Sequence, residues 1–183
     1  MKQIVLRNGL ISGVIIIVLM LVMSLAMKST SELNSVWGMV VGFATMLLAL
    51  SLVFFGVRQV RDKENNGSIS FLEALKVGFF IGIISVAFYV VSWLIYHQLI
   101  LPDFAENYVN ADIAMKKEMG MDAAELAKYE AEMLKWVERY NTNVFYRIYA
   151  TAMEIFPVMV LVTLISALIL KRKPKANLEM KGA

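Results

Sequence analysis

Hydrophobic positions in this chain do not alternate or recur in stripes; they fill long, unbroken runs. Between charged residues the sequence is free of charge from Asn8 to Met27, Leu33 to Val57, Val77 to Pro102 and Ile148 to Leu170, the last interrupted only by Glu154. A helix rises about 1.5 Å per residue, so roughly 20 residues cross a hydrocarbon core of roughly 30 Å. A helix also satisfies its own backbone hydrogen bonds, which a bilayer cannot do for it. The pattern predicts an all-α membrane protein with four transmembrane helices, spanning about residues 9–27, 36–57, 72–98 and 147–170. Four buried helices of a soluble bundle would carry polar stripes that these runs lack.

Periodicity changes in the segment between the third and fourth spans. Phe104, Tyr108, Ala111 and Met115 recur at helical spacing, as do Leu126, Tyr129, Met133, Trp136 and Tyr140, with Gly120 dividing the two stretches. Asp122 and Glu125 form a helix-starting pair for the second stretch. Residues 103–142 are therefore expected to form an α-hairpin inserted between helices 3 and 4, with Lys116, Lys117, Glu130, Glu132, Lys135 and Glu138 on its solvated face. Upstream, Asn65-Asn66-Gly67 reads as a turn. Ser70 and Glu73 have the spacing of a capping box that starts the third span, with Lys76 one turn on to pair with Glu73.

Composition agrees with the pattern: 59% of the 183 residues are hydrophobic, 18% are charged, and the mean hydropathy is +0.65. Charge adds orientation. Lys2, Arg7, Arg58, Arg61 and Lys63 fall on one side, together with a basic tail over 171–183 that holds Lys171, Arg172, Lys173, Lys175 and Lys181. The other side has Lys28 and the hairpin, where acidic residues outnumber basic ones. The positive-inside rule then predicts both termini in the cytoplasm (N-in/C-in) and an extracytoplasmic hairpin. Trp37, Tyr89, Trp93, Tyr96, Tyr146 and Tyr149 cluster in the outer half, as an interfacial aromatic belt does. Ser24-Leu25-Ala26 resembles a signal-peptidase site, but the apolar stretch exceeds a usual signal core, and an uncleaved helix is expected.

Three Gly-x-x-x-Gly pairs, Gly9/Gly13, Gly38/Gly42 and Gly78/Gly82, open the first three spans. Small residues four apart make a flat helix face on which another backbone can lie close, so these are read as packing positions in a compact bundle or a homo-oligomer. Within the spans the residue of most chemical interest is Glu154, an acid at membrane depth three residues before Pro157. Such an acid must be protonated, paired or in contact with water, and Pro157 frees the Met153 carbonyl beside it. Thr45, Tyr89 and Ser92 fall at a similar depth and are its candidate partners. The bland reading is a structural hydrogen bond; the sharper one is a proton or cation relay.

Other chemistry finds little footing. The chain has no cysteine, which excludes disulfides, thiolate metal sites and cysteine nucleophiles. Met20, Met23 and Met27 near one face of the first span are gap-fillers rather than a soft-metal track. His97, the single histidine, is expected as an interfacial residue rather than a metal ligand. No phosphate-binding glycine loop, zinc-protease signature or nucleophile elbow occurs. No catalytic residue, cofactor or metal is assigned, and the chain is not expected to be an enzyme. The sequence pI near 9.1 is explained by attraction of the tail and loop to anionic lipid, without nucleic acid.

Ile69-Ser70-Phe71, Ala74-Leu75-Lys76-Val77-Gly78, Glu154-Ile155-Phe156-Pro157 and the run Leu161 to Ala167, with Asn8-Gly9 and the segment Glu125 to Val137, resemble the bacterial membrane family called domain of unknown function 4199. The resemblance covers nearly the whole chain. It implies four spans and residence in the bacterial cytoplasmic (inner) membrane, and it implies no activity. The expected role is a non-enzymatic scaffold or accessory subunit of an envelope complex, in contact with the lipid bilayer and with copies of itself or other envelope membrane proteins. The alternative is a small oligomeric transporter or channel component that uses Glu154. Substrate, partner and oligomeric state are not legible in the residues.

Overall fold

The computed structural model describes residues 1–26 and 36–173. Met27, Lys28 and the tail positions Lys175 and Lys181 lie outside the described residues. Six helices follow in order: α1 (Lys2–Ala26), α2 (Val36–Lys63), α3 (Phe71–Leu99), α4 (Phe104–Glu118), α5 (Ala123–Thr142) and α6 (Val144–Leu170). Four of them, α1, α2, α3 and α6, are long and apolar enough to cross a membrane. In the most apolar stretch of each, only 28% (α1) or 33% (the others) of residues are buried inside the protein. Most of the apolar surface, including Val14, Phe43, Phe55, Phe80, Ile95 and Leu168, therefore points outward. Water does not tolerate so continuous an apolar girdle, and lipid does.

Helices α2 and α3 pack against each other and against both α1 and α6. Their shared core is Leu50, Val53, Val57, Val77, Ile81, Ile155 and Met159. Close approach is set by glycine. A Cβ on Gly13 would lie 2.4 Å from the Phe88 ring, one on Gly9 2.8 Å from Ile84, one on Gly78 2.8 Å from Thr163, and one on Gly82 2.4 Å from Met159. Gly42 differs, since a Cβ there would meet nothing within 4 Å. Its partner Gly38 is buried. A glycine outside the three pairs, Gly56, is as tight: its Cβ would lie 2.3 Å from Ile81 and 3.3 Å from Asn8.

Polar atoms inside the bundle pair with one another. Ser12 donates to the Ala49 carbonyl at 2.8 Å, and Ser85 donates to Ser12 at 2.8 Å, so one buried chain of bonds joins α1, α2 and α3. Asn8 donates to the Ile4 carbonyl at 2.8 Å and to Gln59 at 3.3 Å, and Gln59 also accepts from Arg7.

Both described chain ends and the α2–α3 loop meet at one end of the bundle. The amino group of Met1 pairs with Glu64, and Ile69 exchanges two backbone hydrogen bonds with Arg172, of 3.0 and 2.8 Å. In the loop, Asn66 and Gly67 take positive φ of 50° and 83°, which turns the Asn65 amide over the first turn of α3. Ser70 caps α3 by accepting from the Glu73 N–H at 3.2 Å. Glu73 does not reach back as a full capping box would, because its carboxylate accepts from Asn65 at 2.7 Å. No ion pair between Glu73 and Lys76 is present among the described residues.

At the opposite end α4 and α5 form a helical hairpin, with Asp122 capping α5 through the Ala124 N–H at 2.9 Å. Its seam is shifted by one residue from the expected one. Ala105 and Val109 are buried on α4 against Val137 and Tyr140, whereas Tyr108 and Met115 are exposed and Phe104 is half-buried. The small Ala105 lets the two helices approach, and the rings flank the seam instead of filling it. Phe104 meets Trp93 edge-on at 4.8 Å, Tyr108 lies 6.0 Å from Trp136, and Trp136 stacks on Tyr140 at 5.0 Å. The Trp93 indole N–H donates to the Tyr140 hydroxyl at 2.6 Å, tying α3 to the hairpin. Farther out, Tyr129 donates to Asp112 across the seam, beneath the Lys116 ammonium at 4.6 Å.

Two predictions follow from this packing. Gly13→Ala should cost about 1–3 kcal/mol through overpacking against the Phe88 ring, whereas Gly42→Ala should be neutral or stabilising by up to about 1 kcal/mol; thermal unfolding in detergent compares them. Burial and the bond to Asp112 push the Tyr129 phenol up to about 12. Because the folded value is raised, this contact stabilises the hairpin fully below about pH 10, where a free phenol titrates, and is lost as pH rises toward 12. Absorbance titration should show a late phenol component that moves down in Asp112→Asn; a late component identical in the two proteins contradicts the assignment.

Candidate functional site

The acid in α6 and a second, unforeseen cluster are the two places where polar chemistry gathers near the bundle's hairpin end. Along α6 the inward positions are Arg147, Thr151, Ile155, Met159, Thr163, Ser166, Ala167 and Leu170, so Glu154 falls at the edge of this stripe and is exposed on the side of the bundle. It accepts a hydrogen bond from the Tyr89 hydroxyl of α3 at 2.8 Å. Of the three depth-matched candidates, Tyr89 is thus the one brought to the acid. Thr45 turns back on its own helix and donates to the Gly42 carbonyl at 2.7 Å. Ser92 is half-buried on α3. Pro157 lies inside a helix that continues to Leu170, and it is exposed on the same side as Met153.

The second cluster sits where α3, α5 and α6 converge. Asn143 ends α5 and starts α6, its side chain accepting from the Phe145 and Tyr146 N–H groups at 3.0 and 3.1 Å. One turn on, Arg147 folds back and donates from Nε to the Tyr140 carbonyl (3.0 Å) and from Nη2 to the Asn141 carbonyl (2.9 Å). These are carbonyls that a helix C-terminus leaves without intrahelical partners. The guanidinium also lies 5.4 Å from the Tyr140 ring, and His97 meets Tyr140 edge-on at 5.5 Å. Burial pushes the Tyr140 phenol above its ordinary value, partly offset by the bond from Trp93.

His97 and Arg147 are 4% and 8% exposed. Both ring nitrogens of His97 and Oδ1 of Asn141 are buried without a protein partner. All three residues, with Gln98 and Pro102 at the rim, line a cleft of about 180 Å³. His97, expected as an interfacial residue at the outer end of the third span, lies two residues from the end of α3 and is buried within the protein. Arg147 was not singled out in the sequence at all, because it directly precedes an uncharged run and reads as a flanking charge. No spacing signal links positions 97, 141 and 147; only the fold brings them together. No group of three or more His, Cys, Asp or Glu side chains able to hold a metal occurs among the described residues.

At the other end a wider cleft of about 700 Å³ lies between the Ile69–Phe71 segment and Lys171–Lys173, with Glu73 and Asn65 on its wall.

The fold and its apolar girdle define a multi-pass membrane protein built on a helical bundle. Residues 7–172 match the family described as "Protein of unknown function (DUF4199)". The match spans most of the chain, and the protein belongs to that family. No curated protein and no solved structure matches the chain.

If the Tyr89–Glu154 contact is a hydrogen bond to an acceptor oxygen, Glu154→Gln keeps it and should change the melting temperature in detergent little. Tyr89→Phe strands the acid and should cost about 1 kcal/mol. Equal losses in the two variants would show that charge, not the acceptor, holds the pair.

Proposed function

We propose that the chain is a non-enzymatic scaffold or accessory subunit of a membrane complex in the bacterial inner membrane, with its basic end in the cytoplasm and the α4–α5 hairpin outside. The observation that carries this reading is the outward position of Glu154. An acid–phenol pair on the lipid-facing side of a bundle is costly unless another protein surface covers it, and interhelical polar contacts are a recurrent adhesive in membranes. The bundle's own interior at that level is filled by Ile155, Met159 and Leu50, so the pair is poorly placed to line a path through a single copy.

Orientation rests on charge. The tail end carries Lys2, Arg7, Arg58, Arg61, Lys63, Lys76, Lys171, Arg172 and Lys173 against Asp62, Glu64 and Glu73. The hairpin is acidic in balance, and Lys and Arg favour the cytoplasmic side.

A photo-crosslinking residue at Met153 or Leu161, both exposed in α6, tests the proposal in intact cells. The expected product is one stoichiometric protein adduct, either a second copy or another membrane protein, which Glu154→Leu diminishes. Adducts to lipid alone, with a monomer in mild detergent, would overturn it. The competing reading, a small transporter whose path runs between copies past Glu154, requires flux in proteoliposomes that Glu154→Gln abolishes.

A further inference from the structure

We propose that the cleft formed by His97, Asn141 and Arg147 binds a hydrogen-phosphate group, supplied either by inorganic phosphate or by a phosphomonoester lipid headgroup. Three features of the cleft point to this chemistry, and none depends on the partner proposed for Glu154.

The first is charge. Arg147 is buried, and among the described residues no carboxylate lies within ion-pair distance of its guanidinium. A buried cation without a counter-charge is expensive, and a ligand anion offsets that cost. Of the five N–H donors of a guanidinium, one on Nε and one on Nη2 are taken by the Tyr140 and Asn141 carbonyls. The remaining three keep the planar fork that suits phosphate oxygens.

The second is the imidazole. His97 presents two ring nitrogens, neither with a protein partner, and the edge-on contact with Tyr140 holds its ring in the cleft that Arg147 also lines. An N–H from this ring would be a second donor to the same anion.

The third decides which anion. The Asn141 amide nitrogen donates to Glu106 at 2.6 Å, so the carbonyl oxygen Oδ1 is the atom left buried without a partner. That oxygen can only accept. Sulfate, a carboxylate or a phosphodiester would meet it lone pair to lone pair at neutral pH. Inorganic hydrogen phosphate carries its own O–H and satisfies it, as does a phosphate monoester in its singly ionised form. The Glu106 carboxylate takes the amide nitrogen, away from Oδ1, and is exposed to solvent. The rim residues Gln98, in the last turn of α3, and Pro102, just beyond it, are exposed, so the cleft is accessible at the level where a headgroup would sit.

The test uses the whole protein in mild detergent and chloride buffer at pH 7, with inorganic phosphate and sulfate at matched ionic strength. Calorimetry or melting should show saturable phosphate binding, with sulfate weaker by about tenfold or more. His97→Phe keeps the ring against Tyr140 and should weaken phosphate by about tenfold to a hundredfold, the worth of one bond to a charged group. Asn141→Leu should abolish the preference for phosphate over sulfate. Nanodiscs containing phosphatidic acid or phosphatidylglycerol separate the sources. Competition by phosphatidic acid alone assigns the site to a phosphomonoester lipid, and no competition by either assigns it to free phosphate. Absence of saturable phosphate binding, equal binding of sulfate to the unaltered protein, or an undiminished response in a folded His97→Phe variant would each overturn the proposal.

Discussion

Hydrocarbon offers no partner to a polar atom, and most features of this bundle follow from that constraint. Each span satisfies its backbone internally as a helix. The side-chain hydroxyls inside then have to find acceptors within the protein. Thr151 and Ser166 donate to carbonyls one turn back on α6, at 2.8 and 2.7 Å. Ser12 and Ser85 instead bond across helices and reach the Ala49 carbonyl. The cross-helix bonds are short because Gly9, Gly13 and Gly56 bring α1, α2 and α3 close together. Close backbone approach and polar satisfaction are thus one device: without the glycines the serines would be too far apart, and without the serines the contact would rest on dispersion alone.

The two ends of the bundle obey a different rule, because water and headgroups are within reach. At the tail end, the Ile69–Arg172 backbone pairing clips the chain leaving α6 to the loop entering α3. Asn65, held by the Asn66–Gly67 turn, occupies the carboxylate of Glu73. At the hairpin end, aromatic rings do the joining. Trp93, Phe104, Trp136 and Tyr140 form one connected cluster from three helices, and the indole–phenol bond gives it direction. Amphipathic rings suit this level because one edge can bond while the faces pack.

How much of this was readable from the chain depends on whether the cause is local. The four spans were legible because length and unbroken apolarity are properties of contiguous residues. The hairpin was legible as two periodic stretches around Gly120, yet its α4 seam was misplaced by one position. The repeat of Phe104 and Tyr108 looked like a core, and the small residues Ala105 and Val109 took that place because they permit closer helix approach. Depth matching found Tyr89 as a neighbour of Glu154, since depth follows from helical rise. It also offered Thr45, which prefers the Gly42 carbonyl on its own helix. The Gly56 contact, the Ser12–Ser85 bond and the His97–Asn141–Arg147 cleft had no sequence signal, because each joins positions that only the fold makes adjacent.

Glu154 shows why an acid can persist in such a place. Residues advance about 100° around a helix, so Glu154 sits about 60° from Thr151 and about 100° from Ile155, both of which face the core. Turning it inward would rotate Ile155 and Met159 out of the interior they fill without exposure. Turning it further outward would remove it from the Tyr89 hydroxyl. The edge of the inward stripe is therefore the position where the carboxylate keeps a donor from its own bundle while presenting its second oxygen to whatever lies alongside. A side chain in that position contributes little to the bundle's own packing, and the Tyr89 bond is what ties it to the bundle.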